Sequence, residues 1–165
     1  MSEQGVRHTR RMHPRNQTVQ DALRDAGIAA QIEVLDEHAR TAAIAAEQLG
    51  CEVAAIANSL VFMADSEPLL VMASGAARVN TDVIAAAVGA GSVVKASADE
   101  VRTATGQAIG GVAPTGHPTP MRTLVDPDLG VHDTIWAAGG TPDSIVPLTF
   151  QQLVMVTSGH VTAVR

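Results

Sequence analysis

The chain has 165 residues and a net charge of −6, and it is 46% hydrophobic but only 2% aromatic. That is one domain's length with enough apolar residues for one core; the acidic balance argues against strong sequence-independent nucleic-acid binding, which needs Lys and Arg on phosphates, and the lack of aromatics argues against base recognition by stacking. The single cysteine, Cys51, excludes an intrachain disulfide and fits a reducing, cytoplasmic setting, and no apolar run approaches the roughly 20 residues of a membrane helix. Residues 1–15 carry Arg7, Arg10, Arg11 and Arg15 with almost no apolar side chains. They read as a flexible leader without the apolar core of a signal peptide, or as an arm touching phosphate, with residues 16–165 as the folded domain. From Thr18 the spacing predicts a helix with Val19, Leu23 and Ala26 on one face and Gly27 as its stop. "QIEVL" (31–35) alternates as a strand does. "TAAIAAEQLG" (41–50) reads as a helix capped by Thr41 and stopped by Gly50.

"VAAIANSLVFM" (53–63) and "PLLVMAS" (68–74) read as neighbouring strands across the polar turn "ADSE". "NTDVIAAAVGA" (80–90) is a helix burying Val83, Ile84, Ala87 and Val88, and "SVVKA" (92–96) a short strand. In "SADEVRTATG" (97–106), Ser97 and Glu100 have the spacing of a capping box and Gly106 ends the helix. After a Gly-rich loop come three strands, "RTLVD", "DTIWAAG" and "SIVPL", then a helix, "TFQQLVMVTSG", and a last strand, "HVTAV". Helices and strands interleave without a strict βαβ repeat, and several successive strands are joined by short turns. The expected fold is therefore a single α/β domain with a mixed, curved sheet and surrounding helices.

The loop "TATGQAIGGVAPTGHP" (103–118) places Gly110, Gly111 and Gly116 around Pro114. Glycine lets another molecule approach the backbone, and proline stiffens it. A stiff loop with bare N–H groups is suited to grip a carbonyl oxygen or a carboxylate. It lacks the Gly-Lys-Ser/Thr ending of a P-loop and follows a helix instead of opening one, so it is no dinucleotide fingerprint. The alternative is a plain helix-to-strand connection. Elsewhere, His8, His13, His38, His132 and His160 lack metal-ligand spacing, no Gly-x-Ser-x-Gly elbow is present, and Cys51 and Trp136 read as structural. Lys95 reads as a surface residue.

The stretch "SADEVRTATGQAIGGVAPTGHP", with "RTAAIAAEQLGCEVAAIANSLVF" before it, resembles the YbaK/prolyl-tRNA synthetase-associated domain family over roughly residues 18–165. The most specific part is the helix ending in Thr-Gly followed by Gly-Gly-x-x-Pro-x-Gly. The resemblance implies an editing domain that hydrolyses the ester of mischarged aminoacyl-tRNA. It needs no cofactor, and its partners are the aminoacyl-tRNA 3′ end and an aminoacyl-tRNA synthetase. It implies that Gly110, Gly111, Val112, Ala113 and Pro114 line the aminoacyl pocket, with backbone N–H groups at Gly110 and Gly111 stabilising the oxyanion while water, or in some members a group of the substrate itself, attacks. Where the family usually carries a lysine on the strand "IANSLVF", this chain has Asn58, which hydrogen-bonds in both directions but bears no charge. Asn58 either orients the terminal adenosine or marks a non-catalytic binding protein on the same scaffold. His117 orients a water or the ribose, or is a surface histidine. Asp126 holds the substrate amine, ties the loop in place, or starts the turn at Pro127. Gly116, Ser74 and Thr105 are further pocket candidates, the last two with helix- or strand-end hydrogen bonding as the alternative.

Overall fold

The computed structural model describes residues 12–35, 41–76 and 78–165. Among the described residues the α-helices are α1 (Pro14–Asp25), α2 (Ala42–Leu49), α3 (Thr81–Val88), α4 (Ala98–Thr105) and α5 (Phe150–Thr157). The strands are β1 (Glu33–Val34), β2 (Ile56–Ala64), β3 (Glu67–Ser74), β4 (Val93–Lys95), β5 (Arg122–Val125), β6 (Ile135–Ala138), β7 (Ser144–Leu148) and β8 (His160–Val161). As far as residue 11, the expected leader lies outside the described residues. Pro14 and Arg15 belong to α1, which begins ahead of Thr18 because Pro14 fits the first helical turn and the His13 ring accepts from the Arg15 N–H.

Local signals fix most of the other helix ends. Thr41, Asn80, Ser97 and Thr149 each accept a hydrogen bond from a first-turn N–H, with full capping boxes at Ser97–Glu100 and Thr149–Gln152. Of the faces expected to be buried, Val19 and Leu23 are fully so, whereas Ala26 is exposed beyond the last turn of α1. In α3, Ile84 is buried while Val83, Ala87 and Val88 are half-buried.

The eight strands form one mixed sheet in the order β1-β7-β6-β2-β3-β5-β8, with β4 also on β2. β3 is central. Leu69, Val71 and Ala73 face one core with Phe62, Ile84 and Leu124, while Leu70 and Met72 face the other with Val19, Leu23 and Val125. A third cluster sets Ala45 and Ala46 of α2 against Ile56, with Trp136 packed half-buried on it.

One register detail shapes the site. Along one edge β2 pairs antiparallel with β3 from Ala57 to Ala64. Its other edge is divided between two partners. β6 runs parallel at Ile56 and Ala57, and β4 runs antiparallel from Phe62 to Ala64. The Ala96 N–H extends the β4 ladder to the Val61 carbonyl at 3.1 Å. Residues 58–60 have no strand partner on that edge, so the sheet is open there.

Candidate functional site

A cavity of about 610 Å³ occupies this opening. Its floor is β2 from Ile56 to Phe62, its sides are β6 and the β4–α4 junction, and α2 and the Gly-rich loop supply the rest of the wall. The lining is mostly apolar, with Ala45, Val61, Val101, Val112, Trp136 and Ile145 among it. Asn58 is half-buried in the floor. Its side chain shares a strand face with Leu60 and Phe62 by the two-residue alternation of a strand. The amide has no hydrogen-bond partner among the described residues, and neither has the Lys95 ammonium, the only cationic group that the described residues bring to the wall. Trp136, expected in the core, is part of this wall.

The loop owes its shape to residues other than its glycines. Gln107 is 2% exposed, and its Oε1 accepts the Ala113 N–H at 2.7 Å while its Nε2 donates to the Thr115 carbonyl at 3.4 Å. Thr105 braces the start of the loop: its hydroxyl donates to the Val101 carbonyl at 2.7 Å and accepts the Gln107 N–H at 3.0 Å, and it does not line the cavity. A turn then runs from the Ala108 carbonyl to the Gly111 N–H at 3.0 Å. Gly110 is its third residue with φ +89°, the position at which a type II turn requires glycine. Gly111 serves a different need. A Cβ there would sit 2.5 Å from the Thr141 carbonyl carbon and 2.6 Å from the Pro142 nitrogen. The loop therefore lies backbone to backbone on the β6–β7 turn. That turn is itself held by buried Asn16 of α1, whose Nδ2 reaches the Gly139 carbonyl at 2.7 Å and the Thr141 and Ser144 hydroxyls at 3.2 and 3.0 Å.

The structure brings Asn58, Gly110 and Val112 together around one cavity. The N–H groups of Gly110 and Val112 have no acceptor among the described residues, whereas those of Gly111 and Ala113 are spent inside the loop. Ala113 and Pro114 are buried and do not line the cavity. Gly116 and His117 face a second hollow of about 560 Å³ beside Arg15, Thr18 and Asp21 of α1. His117 Nε2 donates to the Ala113 carbonyl at 2.8 Å, and burial pushes the imidazole below its ordinary pKa against the opposing effect of that bond. Ser74 and Asp126 are not on the cavity wall either. Buried Asp126 accepts the Ser74 and Asp128 N–H groups at 3.0 and 2.9 Å and pairs with Arg165 at 2.9 Å. The Ser74 hydroxyl donates to the Ala54 carbonyl at 2.9 Å. Of the three uses open to Asp126, this geometry is that of the turn at Pro127; Asp126 also joins the ends of β3 and β5, and it makes no hydrogen bond to the Gly-rich loop among the described residues. Cys51 follows α2 half-buried, its thiol raised in pKa by burial, as suits a structural thiol. Gln107 and Asn16 carry no motif: the partners of Asn16 lie more than 120 residues away, and those of Gln107 are backbone groups of its own loop, which leave no residue-type spacing to find it by.

Solved structures with this architecture are similar in sequence as well. One is a candidate trans-editing enzyme for prolyl-tRNA synthetase, 36% identical, with a TM-score of 0.89 over 94% of this chain and 99% of that one. A scaffold used for computational epitope grafting is 34% identical, with a TM-score of 0.87 over 93% and 98% of the two chains. The hypothetical protein APE2540 is 26% identical, with a TM-score of 0.82 over 89% and 98%. No curated protein matches the sequence. The sequence profile described as the aminoacyl-tRNA editing domain matches residues 36–155, a span that runs from before α2 into α5 and takes in both the opening in the sheet and the loop beside it; the chain belongs to that family.

Proposed function

We propose that the protein is an aminoacyl-tRNA deacylase acting in trans, which takes the charged 3′ end of tRNA into the cavity and hydrolyses its ester. The observation that carries this reading is the pair of unspent N–H groups, at Gly110 and Val112, on a cavity whose floor presents the free Asn58 amide. Water adds to the ester carbonyl, and the carbonyl oxygen becomes an oxyanion accepting from the two N–H donors. The C–O bond to the ribose then breaks, the ribose oxygen takes a proton, and the free amino acid leaves. A donor of this kind contributes on the order of 10²–10³ in rate. Asn58 donates to and accepts from the ribose or the ester. Gly111, Ala113 and Pro114 set the loop's shape, His117 and Gly116 support it from behind, and Ser74 and Asp126 hold the scaffold. No protein nucleophile is used.

A second reading is a non-catalytic binder of an aminoacyl or nucleotide-like ligand. One observation favours it: no carboxylate, imidazole or thiol lines the cavity among the described residues. Release of free amino acid from a panel of mischarged tRNAs separates the two. Turnover on at least one member supports the deacylase, and saturable binding without turnover on every member refutes it. With a net charge of −6, affinity for tRNA rests on few phosphate contacts, so selection of one tRNA falls to a synthetase partner, in the cytoplasm where charged tRNA is used.

A further inference from the structure

The cavity is lined by β2 from Ile56 to Phe62, and the two ends of that stretch differ in chemistry. At one end Ala57 pairs with Ala137 of β6, and the loop reaches this side through the contact of Gly111 with Thr141 and Pro142. Asn58 follows Ala57 directly at this end, and Gly110 and Val112 line the same cavity. At the other end Lys95 of β4 pairs with Phe62, four residues along the strand from Asn58 and so roughly 13 Å away at 3.3 Å per residue. Opposite residues of an antiparallel pair share a face, and the alternation of β2 puts Phe62 on the face of Asn58. Lys95 therefore projects on the same side of the sheet as Asn58. Its side chain is exposed, lines the cavity and has no carboxylate partner among the described residues. The surface reading made from the sequence holds for its exposure but leaves out the cavity.

We infer that Lys95 is a substrate-binding residue that grips a phosphate of the incoming tRNA 3′ end, an inference that rests on the deacylase reading above. A nucleotide lying along the opening with its ester at the Asn58–Gly110 end directs its 5′-phosphate towards the β4 end. A flexible ammonium is a suitable point-charge partner for a phosphate there. In a chain of net charge −6, a single cation on the cavity wall also fixes the direction in which the strand enters. An uncharged ligand has no use for it.

The test compares ligands that differ only by phosphate. Adenosine and 5′-adenosine monophosphate are titrated by NMR into the parent, Lys95→Ala and Lys95→Arg. The parent is expected to bind the monophosphate roughly fivefold more tightly, the scale of a solvent-exposed charge pair. Lys95→Arg keeps the preference and Lys95→Ala loses it, with unchanged melting temperatures. In deacylation, Lys95→Ala raises KM for charged tRNA by about the same factor at constant kcat and lowers the slope of log affinity against log salt by about 0.7. Hydrolysis of 2′(3′)-O-aminoacyl adenosine, which has no phosphate, does not change. A monophosphate preference that survives in Lys95→Ala, or that the parent lacks, overturns the assignment. So does equal damage to the phosphate-free substrate. If the parent hydrolyses neither substrate yet shows a Lys95-dependent phosphate preference, the deacylase reading fails and the phosphate site stands.

Discussion

Replacing Gly111 by alanine tests whether the loop owes its position to the β6–β7 turn. The added Cβ would lie 2.5 Å from the Thr141 carbonyl carbon, 2.6 Å from the Pro142 nitrogen and 2.8 Å from the Thr141 Cα. Carbon contacts are comfortable at about 3.5–4.0 Å, so the overlap is about 1 Å on three atoms. All three are backbone, and the turn that carries them is pinned by Asn16, so no side chain can rotate to make room. Overpacking of this kind costs roughly 1–3 kcal/mol, and in a domain of this size each kcal/mol lowers Tm by roughly 2–4 °C. The expected drop is therefore roughly 2–12 °C. The relief that remains is a shift of the loop off the turn by about 1 Å, which misplaces the Gly110 and Val112 N–H groups; misplacement on that scale costs on the order of 10² in rate. Gly110→Ala is the control. Its Cβ meets nothing within 4 Å, leaving only the cost of a left-handed backbone, about 1–2 kcal/mol, so it loses stability with a smaller loss of turnover. Thermal melts and single-turnover deacylation on the same preparations read both quantities. A Gly111→Ala protein with the parent's Tm and turnover would refute the reasoning, because the backbone contact would then not be what places the loop.

Asn58→Ala removes one hydrogen-bonding group from the cavity floor and should lower kcat/KM two- to tenfold, the range of roughly 0.5–1.5 kcal/mol for one hydrogen bond, with Tm nearly unchanged; unchanged kcat/KM would take Asn58 out of the site. Asp126→Asn should cost roughly 2 kcal/mol, discounted for the one-third exposure of Arg165, and lower Tm by about 4–8 °C while kcat stays within twofold; a collapse of kcat at full stability would make Asp126 a substrate group. His117 has a folded-state pKa below its unfolded value of about 6.5, so the stability its neutral ring contributes is complete above that pH and is lost as pH falls towards the folded value. Between pH 7 and 5 the parent's Tm should therefore fall more steeply than that of His117→Gln, and parallel curves would contradict the assignment.

The parts of this fold legible in the sequence are those with local causes. Ser97 and Glu100 announce α4, and Gly50 and Gly106 end their helices in the left-handed conformation that glycine adopts without a Cβ penalty. Where a partner elsewhere in the chain decides, the pattern misleads. Val53–Ala55 has the composition of a strand but forms a 3-10 turn, because β2 finds its first parallel partner only at Ile56. "QIEVL" and "HVTAV" shrink to two paired residues each, β1 at Glu33–Val34 against β7 and β8 at His160–Val161 against β5, at the two edges of the sheet. The N-terminal start of α1 is missed for a similar reason: no apolar pattern precedes Thr18, and the polar Asn16 is 2% exposed because it serves a turn more than 120 residues away.

The candidate site shows the same division. The glycines and Pro114 mark the loop in the sequence, but not which of its N–H groups are free; that is decided by the Ala108 carbonyl and the Gln107 amide, which take the Gly111 and Ala113 donors. The opening in the sheet has no sequence signature at all. Asn58, Ser59 and Leu60 sit in an unbroken strand pattern, and β3 pairs with every one of them. Only the other edge is open, because β6 leaves β2 after Ala57 and β4 joins it at Phe62. The cavity thus arises from the lengths of two neighbouring ladders, and neither length is encoded in the residues that form its floor. A substitution that extended the β6 ladder past Ala137 would close the opening without touching Asn58, Gly110 or Lys95, so in this architecture the sheet register is as much a determinant of the site as any side chain in it.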